Sequence, residues 1–142
     1  MILRDAAEPD IDGIIAIDPV AATDETQRQR IREWVKSGCA IVVQIEERVV
    51  AYAVLEHTFF SCGFISMLIV HESYWRQGIA TALVDRIEET CNTAKIFTST
   101  NESNIAMRAF LTNKSYVTSG ILHNLDVGDP ELFFFKNISP GS

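Results

Sequence analysis

Apolar residues along this chain switch between two spacings, and each switch marks a boundary between elements. Ile2-Leu3-Arg4 reads as a short first strand. Pro9 and Asp10 then open a helix with Ile11, Ile14, Ile15 and Ile17 on its apolar side, and Pro19 ends it. Thr23 or Asp24 can cap a second helix, rich in Gln and Arg, that buries Ile31, Trp34 and Val35 and stops at Gly38. Cys39 to Ile45 and Val49 to Thr58 are apolar runs joined by Glu46-Glu47-Arg48, the pattern of a hairpin. Gly63 starts a third run, and Phe64-Ile65-Ser66-Met67-Leu68-Ile69-Val70 reads as a strand largely buried on both faces.

Helical spacing returns at Ile79, Leu83, Val84 and Ile87. Lys95 to Ser99 is a compact strand, and Ser103 or Asn104 caps a helix carrying Ile105, Met107, Phe110 and Leu111. Tyr116 to Leu122 and Leu132 to Lys136 form the last two strands, joined by the polar loop from His123 to Glu131. The order β-α-α-β-β-β-α-β-α-β-β predicts a single α/β (α+β) domain over residues 1–138. Its sheet is mixed, of about six or seven strands, with helices on both faces. Ser139-Pro140-Gly141-Ser142 is expected to be a disordered tail.

The composition, 47 % hydrophobic and 22 % charged over 142 residues, is that of an ordinary globular domain. No apolar run is long enough to span a membrane, and Met1-Ile2-Leu3-Arg4-Asp5 carries no secretory pattern. Cys39, Cys62 and Cys91 form no zinc-like pair and read as reduced, buried thiols of a cytoplasmic protein, with no metal. The net charge of −7 argues against nucleic acid and favours a cationic small molecule or peptide.

The join between the Val70 strand and the Ile79 helix concentrates the chemistry. Trp75-Arg76-Gln77-Gly78-Ile79-Ala80-Thr81 sets a glycine at the centre of a strand-to-helix turn. A helix starting there aims unpaired N–H groups and the positive end of its dipole at one point, which suits an anion. Gly78, lacking a Cβ, lets a phosphate approach the backbone. The plainer reading is an ordinary connection. The turn is neither a dinucleotide fingerprint nor a Walker loop, which need more glycines or a Gly-Lys-Ser/Thr ending.

With the element order, these residues resemble the GCN5-related N-acetyltransferases over nearly the whole chain. Ile2-Leu3-Arg4-Asp5-Ala6 followed by Pro9-Asp10-Ile11 is similar to the family's first strand and helix. Its central motif is Arg or Gln, two variable residues, Gly, one variable residue, then Gly or Ala. Gly78 and Ala80 fit, while Trp75 stands at the first position. Asn104 heading the later helix, with Phe110-Leu111 and Lys114-Ser115-Tyr116 at its end, is a second match.

The resemblance implies the acyl-CoA N-acyltransferase fold. It also implies transfer of acetyl from acetyl-CoA to a primary amine of a small molecule or peptide, by direct attack in a ternary complex. Backbone N–H groups near Trp75, Arg76, Gln77, Gly78, Ile79, Ala80 and Thr81 would hold the pyrophosphate of coenzyme A, with charge added by Arg76. A bulge would splay the preceding strand, so that Leu68, Ile69 and Val70 pair with the pantetheine arm. Asn104, Met107 and Leu111 would flank that arm from the later helix.

Acyl transfer from a thioester needs a neutral amine, a stabilised oxyanion and a proton for the leaving thiolate. The backbone N–H of Leu68 or Ile69 is the expected oxyanion donor. Glu56 and His57 are the nearest titratable pair for a general base, the plainer reading being a solvated strand end. Ser66 stands where similar proteins often carry a glutamate, and Leu111 where they carry a tyrosine acid, a role left to water. Tyr116 reads as packing and Tyr74 as a wall of the turn. Asp126, Asp129 and Glu131 read as a solvated turn or as a dock for a cationic acceptor, with Asp18, Asp24 and Glu25 opposite.

Two other functions compete with an acetyltransferase. A catalytically weak or inactive acyl-CoA-binding sensor or partner module would explain Leu111 and Ser66. A nucleotide-binding domain unrelated to coenzyme A lacks the Lys and Ser/Thr of a phosphate loop. Oligomeric state stays open, a homodimer through the last strands being common among similar proteins.

Overall fold

The structure is a computed structural model and describes residues 1–138; the expected tail, 139–142, lies outside the described residues. Its elements run β1 (Ile2–Asp5), α1 (Ile11–Ile17), α2 (Glu25–Lys36), β2 (Ala40–Ile45), β3 (Arg48–Phe59) and β4 (Cys62–Val70). They continue with α3 (Ile79–Thr90), β5 (Lys95–Asn101), α4 (Ile105–Asn113), β6 (Val117–Leu122) and β7 (Glu131–Asn137). The strands form one sheet in the order β1-β2-β3-β4-β5-β7-β6, parallel at β4–β5 and antiparallel at β5–β7 and β7–β6. The expected order and mixed sheet are therefore observed. Single 3₁₀ turns at Glu8–Asp10 and Glu72–Tyr74 add to it, each too short to show a periodicity in sequence.

Both hairpin turns use two residues in the left-handed region, Glu46 and Glu47, then Phe60 and Ser61. That geometry matches the twist of the flanking strands, so the turn tightens and Arg48 joins β3 instead of the loop. Asp24, not Thr23, caps α2 by accepting from the N–H groups of Thr26 and Gln27. Gly38 follows α2 at a φ of +75°, the conformation that ends a helix at least cost to glycine.

The described residues group into two compact units, one of Met1–Leu55 with Met67–Ile87 and one of Glu56–Ser66 with Glu88 onward. In the first, Ile14 of α1 and Ile31 and Val35 of α2 pack with Val42, Tyr52 and Val54 of β2 and β3. Each such side chain contributes about 1.5–3 kcal/mol through removal from water. Val43, Ala51 and Ala53, which alternate with these along the strands, are buried as well, so β2 and β3 are covered on both faces. Arg4 ties β1 to the turn before α1 through a two-pronged bond to Asp10, at 2.7 and 2.9 Å.

In the second unit, β4 and β5 pair at Gly63–Ile96, Phe64–Phe97 and Ile65–Thr98. At the end of that ladder the Thr98 hydroxyl donates to the Ile65 carbonyl at 3.0 Å. β5 then pairs with β7 along its whole length, from Lys95–Asn137 to Asn101–Glu131. Ile96, Thr98, Thr100, Leu132 and Phe134 share one face and are buried, whereas Phe97, Ser99, Phe133 and Phe135 on the other are half-exposed.

Candidate active site

The turn into α3 lies in the first unit. Arg76 and Gly78 both have positive φ, +64° and +78°, so the backbone reverses twice within three residues. A Cβ on Gly78 would meet nothing within 4 Å. The glycine is thus required by its conformation, and the space above it is open for a ligand to approach. Asp24 caps α2 and Asn104 caps α4, whereas the residue before α3 is Gly78, which has no side chain to cap it, and the first turn of α3 holds no acid. The N–H groups at its start are left for another acceptor, and the dipole there is unopposed. Arg76, Gln77 and Thr81 are exposed and Ala80 is half-buried, whereas the Ile79 side chain is buried, leaving only its backbone to a ligand.

Trp75 has a role that the motif did not suggest. Its indole Nε1–H donates to the carbonyl of Val70 at 2.7 Å, although the ring is 61 % exposed. The end of β4 is thereby clasped to the turn, and one lone pair of Val70, expected for the pantetheine, is taken. His71 secures the same stretch: its N–H donates to the Val50 carbonyl, and its ring accepts from the Ser73 N–H. Leu68, Ile69 and Val70 are half-buried, and Tyr74 lies edge-on to His71.

Glu56 and His57 are adjacent in a strand and point to opposite faces. They do not act as a pair. His57 accepts from the Asn92 N–H after α3 at 3.4 Å, while Glu56 accepts from the Ser66 hydroxyl on β4. Both are half-buried, not at a solvated strand end. A carboxylate from the neighbouring strand thus lies against position 66, where similar proteins often carry a glutamate. The sequence signal was the hairpin itself, which brings β3 and β4 side by side around Phe60 and Ser61.

The acidic residues considered for an acceptor cleft have structural bonds. Asp18 is buried and accepts from the N–H groups of Val20 and Ala21, from Gln27 Nε2 and from the Tyr52 hydroxyl. Burial, and then the Asp18 carboxylate, push the Tyr52 phenol far above its ordinary value, so it keeps its proton. Gln27 also reaches Met67 Sδ at 3.7 Å. Asp24 is a helix cap, and Glu25 pairs with Arg28 and Arg32. In the second unit, Asp126 accepts from Asn101 and Asp129 from the Ser103 N–H and hydroxyl, pinning the loop before β7 to the segment ahead of α4. Glu131 accepts from Ser99 at 2.7 Å.

On α4, the Asn104 side chain accepts from the Met107 N–H at 3.1 Å, which occupies its oxygen and leaves its amide N–H₂ exposed. Met107 is half-buried. Leu111 is 1 % exposed, so its side chain lies in the core. Tyr116 is buried too, its hydroxyl donating to Glu88 and its ring beneath Lys136. Of the three free cysteines only Cys91 is buried; Cys39 and Cys62 are half-buried.

Comparison with known proteins decides the family. Residues 9–114 match the model of the acetyltransferase (GNAT) family. The chain belongs to the GNAT family. A GNAT acetyltransferase from Bacillus cereus ATCC 10987 is 32 % identical over 96 % of both chains, with a TM-score of 0.88. Ard1 from Thermoplasma volcanium is 18 % identical over 96 % of both, with a TM-score of 0.85. An aminoglycoside 6'-N-acetyltransferase complexed with coenzyme A is 15 % identical, over 100 % of this chain and 99 % of that one, at a TM-score of 0.82. No curated protein matched. The protein is therefore a GNAT acetyltransferase with the acyl-CoA N-acyltransferase fold, and its acyl donor is acetyl-CoA. No helix of the described residues is long and apolar enough to cross a membrane.

Proposed function

We propose that this GNAT enzyme acetylates a primary amine of a small molecule or peptide by direct attack, with Glu56 as general base. The glycine-led, acid-free start of α3 carries the donor half of this reading. Backbone N–H groups from Arg76 to Thr81 bind the pyrophosphate, helped by the exposed Arg76 guanidinium, and the positive φ of Gly78 sets their direction. The β4–β5 ladder runs from Gly63–Ile96 to Ile65–Thr98, short of Leu68 and Ile69, which supports a role for their backbone in holding the pantetheine arm. The Leu68 N–H serves as oxyanion donor.

Acetyl-CoA supplies the activated acetyl group. Glu56, oriented by the Ser66 hydroxyl, takes the proton that the amine nitrogen loses as its bond to the acetyl carbon forms. The carbon–sulfur bond breaks, and the thiolate takes a proton from water, since no tyrosine replaces Leu111. His57 faces the other side of β3 and accepts from the Asn92 N–H, which favours Glu56 for this role. The thiols of Cys62 and Cys91 fit a reducing, cytoplasmic setting. Calorimetry with acetyl-CoA, followed by thiol release across a panel of amines, tests the assignment. Absence of binding at millimolar acetyl-CoA would sink it.

A further inference from the structure

In the second unit one sheet face is neither core nor ordinary surface. Phe64 and Phe97 are register partners on β4 and β5, Phe97 is the partner of Phe135, and Ser99 that of Phe133. The rings form a continuous half-exposed floor. Phe59 lies 4.7 Å from Phe64 and 5.3 Å from Phe97, and stacks on Phe133 at 5.8 Å with an interplanar angle of 16°. Phe97 stacks on Phe135 at 5.7 Å. The opposite face of β5 and β7 is buried, so this aromatic face is the one left open for something else.

The floor has a polar end. Two residues beyond Phe64 on the same face stands Ser66, which holds the Glu56 carboxylate. Two residues beyond Phe97 stands Ser99, which holds the Glu131 carboxylate. Ser66 and Ser99 lie past Phe64 and Phe97 in the direction of the parallel strands β4 and β5, and Glu131 lies two residues past Phe133 along the same face. One face therefore offers apolar rings at one end and two oriented carboxylates at the other.

We infer that this face binds the acceptor, and that the acceptor is a primary amine carrying an aromatic or bulky apolar group a few bonds from its nitrogen. The inference rests on the acetyltransferase reading and names its substrate class. The ammonium meets Glu56 and Glu131, and the apolar body covers the rings of Phe97 and Phe133. A polycation with no apolar body would leave the rings uncovered. An apolar molecule without an ammonium would leave the carboxylates unpaired.

The test compares 2-phenylethylamine with ethylamine, the same amine without its ring, by thiol release from acetyl-CoA, with spermidine as the polycation. The expected kcat/KM ratio of phenylethylamine to ethylamine is about tenfold or more, as burial of one ring allows. Phe133→Leu and Phe97→Leu, checked for folding by thermal unfolding, are expected to shrink that ratio. A ratio near one, or faster turnover of spermidine, in a protein that binds acetyl-CoA overturns the aromatic acceptor and leaves the acetyltransferase intact. Failure to bind acetyl-CoA removes the enzyme reading instead. If acetyl-CoA binds but no amine turns over, calorimetry of phenylethylamine into the coenzyme A-loaded protein decides, and no heat overturns the inference. Sedimentation showing a dimer that Phe133→Leu dissociates would assign the face to a second copy of the chain, which also overturns it.

Discussion

The Ser66 hydroxyl donates to the Glu56 carboxylate from the adjoining strand, which is the contact behind the proposal of Glu56 as general base. Glu56→Gln keeps the shape and the bond to Ser66 but cannot take a proton. A fall in kcat of about a hundredfold or more is expected, within the usual range for a lost general base. The dissociation constant of acetyl-CoA should stay as it was. Steady-state kinetics and calorimetry on the same preparation separate the two, and an unchanged kcat would remove Glu56 from the chemistry.

Gly78 gives a second pair of variants. Its φ of +78° with open space above predicts that Gly78→Ala destabilises by about 1 kcal/mol through backbone strain alone. Gly78→Glu adds a negative charge where the pyrophosphate is to bind, and acetyl-CoA binding should be lost while the fold persists. Urea unfolding and calorimetry check the two halves of this statement. Unaltered binding in the glutamate variant would displace the anion site from this turn.

Tyr52 and Asp18 form the polar centre of the first unit, and Tyr52→Phe removes a donor from a buried carboxylate. A loss of about 1–3 kcal/mol is expected. The phenol's raised value also sets a sign at high pH. Stability from this group is complete below the ordinary phenol value of about 10 and declines as pH rises beyond it, because only the unfolded chain then releases the proton. Tyr52→Phe should flatten that alkaline decline, as read from urea midpoints against pH.

Asp10 sets the opposite sign at low pH. The bond from Arg4 holds its carboxyl below the ordinary value of 3.8, so its contribution is complete above that value and is lost as pH falls beneath it. The Arg4 side chain is 37 % exposed, so solvent screens the pair and the contribution is modest, about 1 kcal/mol. Asp10→Asn should cost that much at pH 7 and flatten the acid limb between about pH 5 and 2.

The element order was legible because each helix shows its apolar spacing and each hairpin its turn. Ile11, Ile14 and Ile17, or Leu83, Val84 and Ile87, admit no other period. The turn at Gly78 was legible for the same local reason. The acidic residues were not, because besides the local bonds of Asp18 to Val20 and Ala21, Asp18, Asp129 and Glu131 take partners 9 to 34 positions away, and no spacing rule reports a bond of that kind. The Phe59–Phe133 stack was hidden likewise, since it joins strands far apart in the chain. Leu111 shows the limit of a carried-over position: the residue is where the motif puts it, but its side chain is interior.

The clasp between Trp75 and Val70 also makes the chain its own optical gauge. The only other tryptophan, Trp34, lies on α2 and is half-buried, so Trp34→Phe leaves one emitter, fixed at its nitrogen end beside the turn proposed for the pyrophosphate. Emission from an exposed indole held in one orientation changes when the water around it is displaced. Arrival and departure of acetyl-CoA can then be timed by stopped flow, without a label and before any acceptor has been identified.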